Sequence, residues 1–126
     1  MYLIMEPKNK ILIIDDDERN IFALTAMLKS KSYHCISCSG AREAIDLLHT
    51  DQEVDAVLID IMMPDMDGYE AIPLIKSIGN RREVPIFAVT AQAMKGDKEK
   101  CLEAGADGYI SKPIDIDLLL GLLNNL

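Results

Sequence analysis

Five short apolar runs recur along the chain, and they are largely unbroken rather than alternating. They are Ile11 to Ile14, Tyr33 to Cys38, Ala56 to Ile59, Ile86 to Val89, and the brief Gly-Tyr-Ile at Gly108 to Ile110. A strand with one wet face alternates apolar and polar residues, whereas a parallel strand covered on both faces is apolar throughout. Residues at helical spacing fill the gaps between the runs: Ile21, Leu24, Thr25 and Leu28; then Ala41, Ala44, Ile45 and Leu48; then Ala71, Ile72 and Ile75. A fourth helix is expected to end near Glu-Ala-Gly-Ala-Asp-Gly with Gly105 as its C-cap. A fifth is expected to start near Asp115 and to carry Leu118, Leu119 and Leu122. Strand and helix thus alternate five times. With right-handed crossovers this predicts an α/β fold, a doubly wound five-stranded parallel sheet of order 2-1-3-4-5, the flavodoxin-like (βα)5 arrangement. No linker or repeat interrupts the pattern, so residues 1–126 read as a single domain.

Several function classes drop out on charge and composition. A chain of 126 residues with 49% apolar residues supports a core without covalent staples. Its apolar runs are far too short to span a membrane, and the opening MYLIMEPKNK lacks the basic start and apolar length of a signal peptide. The chain therefore reads as cytoplasmic. A net charge of -8 repels a phosphate backbone and argues against direct nucleic-acid binding. Cys35, Cys38 and Cys101 form an odd set, which is no disulfide framework. The Cys-Ile-Ser-Cys spacing beside His34 invites a zinc or redox reading, but residues three apart on a strand point to opposite faces. The three are expected to be reduced thiols.

The stretch ILIIDDDERN sets three aspartates directly behind the first strand. Adjacent carboxylates beside a core are costly unless a cation or a proton joins them. In a doubly wound sheet, sites form beyond the carboxyl ends of the strands at the switch point. Polar residues stand at those ends: Asp15 and Asp16 after the first strand, Asp60 after the third, Thr90 after the fourth, and Lys112 just past the fifth. Three carboxylates suit Mg²⁺, a hard cation held by oxygen ligands. A lysine and a hydroxyl opposite it suit phosphoryl oxygens. One carboxylate is then free to act as nucleophile and form an acyl phosphate. Asp60 fits that part, standing alone on the central strand while Asp15 and Asp16 pair. Asp17 is expected to open the first helix.

From these residues the chain resembles the receiver domains of two-component response regulators, including those attached to hybrid sensor kinases. The likeness runs from KILIIDDDERN through VLIDIMMPDMDGYE and PIFAVTAQAMKGDKEKCLEAGADGYISKPI to the terminal helix. The family pattern has an acidic pair (Asp15, Asp16), an acceptor aspartate followed by Met, Pro and Gly (Asp60, Met63, Pro64, Gly68), a threonine before a small residue (Thr90, Ala91), and a lysine before proline (Lys112, Pro113). The resemblance implies that Asp60 takes a phosphoryl group from a sensor histidine kinase or a histidine phosphotransfer protein. It implies Mg²⁺ on Asp15, Asp16, Asp60 and the carbonyl of Met62, with Thr90 and Lys112 on the phosphoryl group. It further implies a cis Lys112–Pro113 peptide, a switch made of Thr90 and Tyr109, and a downstream protein bound through the face of the fourth helix, fifth strand and fifth helix. Met62 and Gln92 are expected to overhang the crevice and govern the access of hydrolytic water.

One departure and three rivals need weighing. Pro73 falls inside the third helix, where proline removes a hydrogen bond and tends to kink or break the helix. A haloacid-dehalogenase-type phosphatase would use Asp15-x-Asp17 as its nucleophile motif, but Arg19 stands where Thr or Val is expected and no acidic pair ends a strand after Lys112. An EF-hand at MPDMDG would need an acid at Met63 and a glutamate at Leu74. A flavodoxin-type electron carrier needs a Ser/Thr/Gly-rich phosphate loop where this chain has acids.

Overall fold

The computed structural model describes residues 9–91 and 96–126. Five parallel strands, β1 (Lys10–Ile14), β2 (His34–Cys38), β3 (Ala56–Asp60), β4 (Ile86–Thr90) and β5 (Gly108–Ser111), lie in the order β2-β1-β3-β4-β5. The connecting helices are α1 (Glu18–Lys29), α2 (Ala41–Leu48), α3 (Gly68–Lys76) and α4 (Asp97–Ala104), and α5 (Ile116–Leu123) closes the chain. The expected topology is the one observed. Strands β3 and β4 each run one residue further than their apolar cores, to Asp60 and Thr90. The ladder continues there, with Asp60 beside Val89 and Thr90 beside Ser111.

Unbroken strands follow from two cores. Leu12 and Ile14 of β1 pack with α2, α3 and α4, while Ile11 and Ile13 pack with α1 and α5. The period-2 alternation is present, but both faces are apolar because both are covered. Each such side chain contributes roughly 1.5–3 kcal/mol by leaving water. The same alternation settles the cysteines: Cys38 lies in the first core and Cys35 packs against the second. All three cysteines are free. Burial, helped by the charge of Glu43, pushes the Cys38 thiol up to about 11.

Local chemistry ends the helices where it should. Asp17 caps α1 by accepting from the Arg19 amide at 2.9 Å, and Asp115 caps α5 by accepting from Asp117 and Leu118. Asp67 and Glu70 form a reciprocal capping box on α3. Gly105 closes α4 at φ 112°, a left-handed conformation that suits glycine. Leu119 is buried on α5, and Leu118 faces outward. Pro73 does not end α3, which runs on to Lys76. Pro73 is exposed, and the lost bond is outweighed by a buried stripe of Gly68, Ala71, Ile72 and Ile75. Tyr69 joins α3 to α4, with the Lys100 ammonium 4.9 Å from its ring centre. Among the described residues no helix is long and apolar enough to cross a membrane.

One buried charge stands apart from the crevice. Arg81, 5% exposed, donates to the carbonyls of Leu48, Thr50 and Gln52 at 2.9, 2.9 and 2.6 Å. Leu48 is the last residue of α2, a helix with no basic residue in its last turn. Arg81 therefore brings the positive end charge that α2 lacks, from a distant part of the chain. Arg81→Ala is predicted to cost about 3 kcal/mol in urea unfolding, because it strips the partner from one buried and two part-buried carbonyls. Arg81→Lys recovers only part of this, since one ammonium cannot reproduce the guanidinium fork. A loss below about 0.5 kcal/mol for the alanine variant would show that water replaces the arginine.

Candidate functional site

The ends of β1 and β3, neighbours in the sheet, bring the sequence-predicted acids together. One carboxylate oxygen from each of Asp15, Asp16 and Asp60 lies within 4.8 Å of the others. Asp15 and Asp60 are buried, at 3% and 6% exposure, and Asp16 is open to solvent. Thr90, the last residue of β4, is buried. Lys112, just beyond β5, reaches Asp60 Oδ2 at 3.4 Å and Asp15 Oδ2 at 3.5 Å. Its backbone N–H donates to the Thr90 carbonyl at 2.7 Å, and its peptide bond to Pro113 is cis. The acids thus face a hydroxyl-bearing residue and an ammonium across one crevice.

Backbone amides hold the carboxylates in place. Asp15 Oδ1 accepts from the Asp17 N–H at 2.9 Å, and Asp60 Oδ1 accepts from the Met62 N–H at 3.1 Å. Burial raises the Asp60 carboxyl above its ordinary value. The Met62 amide and the Lys112 ammonium pull it back, and the charge of Asp15 pushes it up further. Asp17 does not join the cluster, because its carboxylate is spent on capping α1. An Asp15-x-Asp17 pair of the phosphatase kind is therefore not assembled in the crevice.

Gly68 explains how the loop after β3 returns so closely. Its N–H donates to the Ile61 carbonyl at 2.9 Å, and an added Cβ would meet Ile61 Cδ1 at 2.5 Å and Ile61 Cα at 2.9 Å. Only glycine lets α3 start against the strand end that carries Asp60. Met63 is buried, while Met62 is 60% exposed. Gln92 lies outside the described residues. Tyr109 is half-buried on β5 beside Ala88, packed against the core shared by α2, α3 and α4. Burial raises its hydroxyl pKa. Sequence reasoning passed over Asn20, whose amide reaches Asp15 Oδ2 at 3.4 Å. Its position one helical turn beyond the acidic triplet was the available signal.

The donor set suits a small hard cation. Three carboxylates on one crevice offer only oxygen, and among the described residues no other cluster of three or more acidic, histidine or cysteine ligands forms.

A doubly wound sheet with an acidic crevice at its switch point is the build of a signalling receiver. Residues 11–124 match the family described as response regulator receiver domain, and the chain belongs to that family. Its function is phospho-acceptance in two-component signalling. The histidine-protein kinase BarA of Escherichia coli K12 is 37% identical over 113 residues, 90% of this chain and 12% of that kinase. The chain therefore spans only a small part of the kinases it matches. The polar-differentiation response regulator DivK of Brucella anthropi is 36% identical, over 87% of this chain and 88% of DivK. The receiver domain of a Pseudomonas aeruginosa sensor histidine kinase superposes with a TM-score of 0.84 at 36% identity, covering 93% of this chain and 95% of that one. That structure carries a magnesium ion in its active-site cleft.

The raised Asp60 carboxyl has a measurable consequence. The folded protein holds this proton to higher pH than the unfolded chain does. Stability from this group is therefore greatest in acid, falls as pH rises from the ordinary carboxylate value through the folded one, and is flat above. Asp60→Asn, melted in a chelator at pH 7, is predicted to unfold at a higher temperature than wild type, with the gap closing toward the ordinary carboxylate pKa of about 4. A variant that melts lower at pH 7 would mean that Lys112 outweighs burial.

Proposed function

We propose that Asp60 is the phosphoryl acceptor, with Lys112 and Thr90 holding the phosphoryl group. The observation that carries this is the convergence of Asp60 and Lys112, 3.4 Å apart, beside two further carboxylates at the strand ends. The donor is a phosphohistidine of a sensor kinase or of a phosphotransfer protein. An Asp60 oxygen attacks phosphorus, the P–N bond breaks, and its electron pair leaves on the imidazole nitrogen. A partly buried carboxylate with a raised pKa is the more nucleophilic one. Asp15, Asp16, Asp60 and the Met62 carbonyl would hold Mg²⁺, which supplies positive charge against the phosphoryl oxygens.

The protein on this reading is no turnover enzyme on external substrates; it loads and discharges its own aspartate. The whole chain serves as one receiver domain, and its place is the cytoplasm, where three free thiols stay reduced. Incubation with Mg²⁺ and a small acyl-phosphate donor is expected to add one alkali-labile phosphoryl mass to the intact protein, and Asp60→Asn to abolish it. Repeated turnover without an adduct would instead point to a phosphatase.

Output runs through a changed surface. Phosphoryl charge at Asp60 draws Thr90 and Lys112, and Tyr109, two residues before Ser111 at the Thr90 pairing position, follows inward. The surface so altered is that of α4, β5 and α5, where a downstream protein binds. A net charge of -8 keeps nucleic acid away from it. Tyr109→Ala should weaken phosphorylation-dependent partner binding about tenfold while leaving the phosphoryl mass unchanged. Unaltered binding in this variant would remove Tyr109 from the route.

A further inference from the structure

A carboxylate as buried as Asp15 needs donors on both oxygens. The Asp17 N–H holds Oδ1. Oδ2 has two side-chain donors, the Lys112 ammonium at 3.5 Å and the Asn20 amide at 3.4 Å. Lys112 is shared, since it also reaches Asp60 Oδ2. Asp15, Asn20 and Lys112 line a cavity of about 540 Å³ whose remaining wall is apolar, from Ala23 and Leu24 on α1 to Pro113 and Ile114. That wall offers Asp15 no replacement donor.

We propose that Asn20 is a positioning residue whose amide keeps the Asp15 carboxylate turned into the crevice and so sets how tightly the site takes a divalent cation. This rests on the reading of the crevice as a Mg²⁺ and phosphoryl site. A phosphoryl group on Asp60 draws Lys112 toward its oxygens, so Lys112 is not the lasting partner of Asp15. Asn20 remains. It stands on the first turn of α1, whose N-cap residue already grips the other Asp15 oxygen, so one helix start orients both. The amide is neutral and orients Asp15 without competing with a cation, as a second lysine would. Outer donors of this kind typically change metal affinity 10- to 100-fold when removed, and a bond as long as 3.4 Å puts the effect near the lower end.

The test uses Asn20→Leu, which keeps the size without the donor, and Asn20→Ala. Unphosphorylated ¹⁵N-labelled protein is titrated with MgCl₂ while the amide signals of Asp17 and Met62 are followed by NMR. The expected result is a Kd about tenfold higher in both variants. Melting in a chelator should change little, since in the unphosphorylated protein Lys112 stays on the same Asp15 oxygen and both residues favour helix more than Asn does. A Kd within about twofold of wild type overturns the inference while leaving the crevice reading intact. Weakened binding accompanied by clear destabilisation in the chelator also overturns it, because Asn20 would then be structural. Failure of wild type itself to bind Mg²⁺ saturably overturns both.

Discussion

Backbone pairing among β1, β3, β4 and β5 decides where every polar group of the crevice stands. The ladder sets Asp60 beside Val89 and Thr90 beside Ser111, and Asp15 follows directly on the end of β1. Because apolar layers cover both faces of the sheet, charge finds room only at the strand ends. The rigidity of those four short strands is what brings residues nearly a hundred positions apart within ion-pair distance.

That placement creates an electrostatic conflict which the protein leaves partly unresolved. Three acids crowd one crevice and a single half-buried lysine serves two of them. Lys112 thus bridges Asp15 and Asp60 at 3.4–3.5 Å, distances longer than a tight ion pair. A cation relieves the repulsion and a phosphoryl group adds to the negative charge, so either changes what Lys112 should bond. Backbone donors, the Asp17 and Met62 amides, keep the carboxylates aimed while the side-chain partners change.

Features away from the crevice serve the same geometry. Gly68 lets α3 begin against the backbone of Ile61, next to Asp60, and Tyr69 at the following position links that helix to α4 through Lys100. Arg81 gathers the carbonyl of Leu48, the last residue of α2, and those of Thr50 and Gln52 beyond it, and so secures the segment that leads into β3.

Much of this was legible in the chain. Apolar runs marked the strands, and Asp17, Gly105 and Asp115 marked helix ends, because caps and burial patterns are local properties of consecutive residues. The crevice acids, Thr90 and Lys112 were legible too, since a doubly wound topology maps strand ends to one place. Pro73 read as a helix breaker, yet α3 continues through it because its buried stripe outweighs one missing bond. Neither Arg81 nor Asn20 stood out in the chain. Their roles depend on partners outside their own helix or turn: Leu48, Thr50 and Gln52 for Arg81, and Asp15, held from across the crevice by Lys112, for Asn20. The sequence by itself determined the strands, the caps and the set of reactive groups, because these follow from neighbours along the chain; which donor satisfies which buried acceptor was decided only by the tertiary structure, because a hydrogen bond depends on distances that the folded packing alone defines.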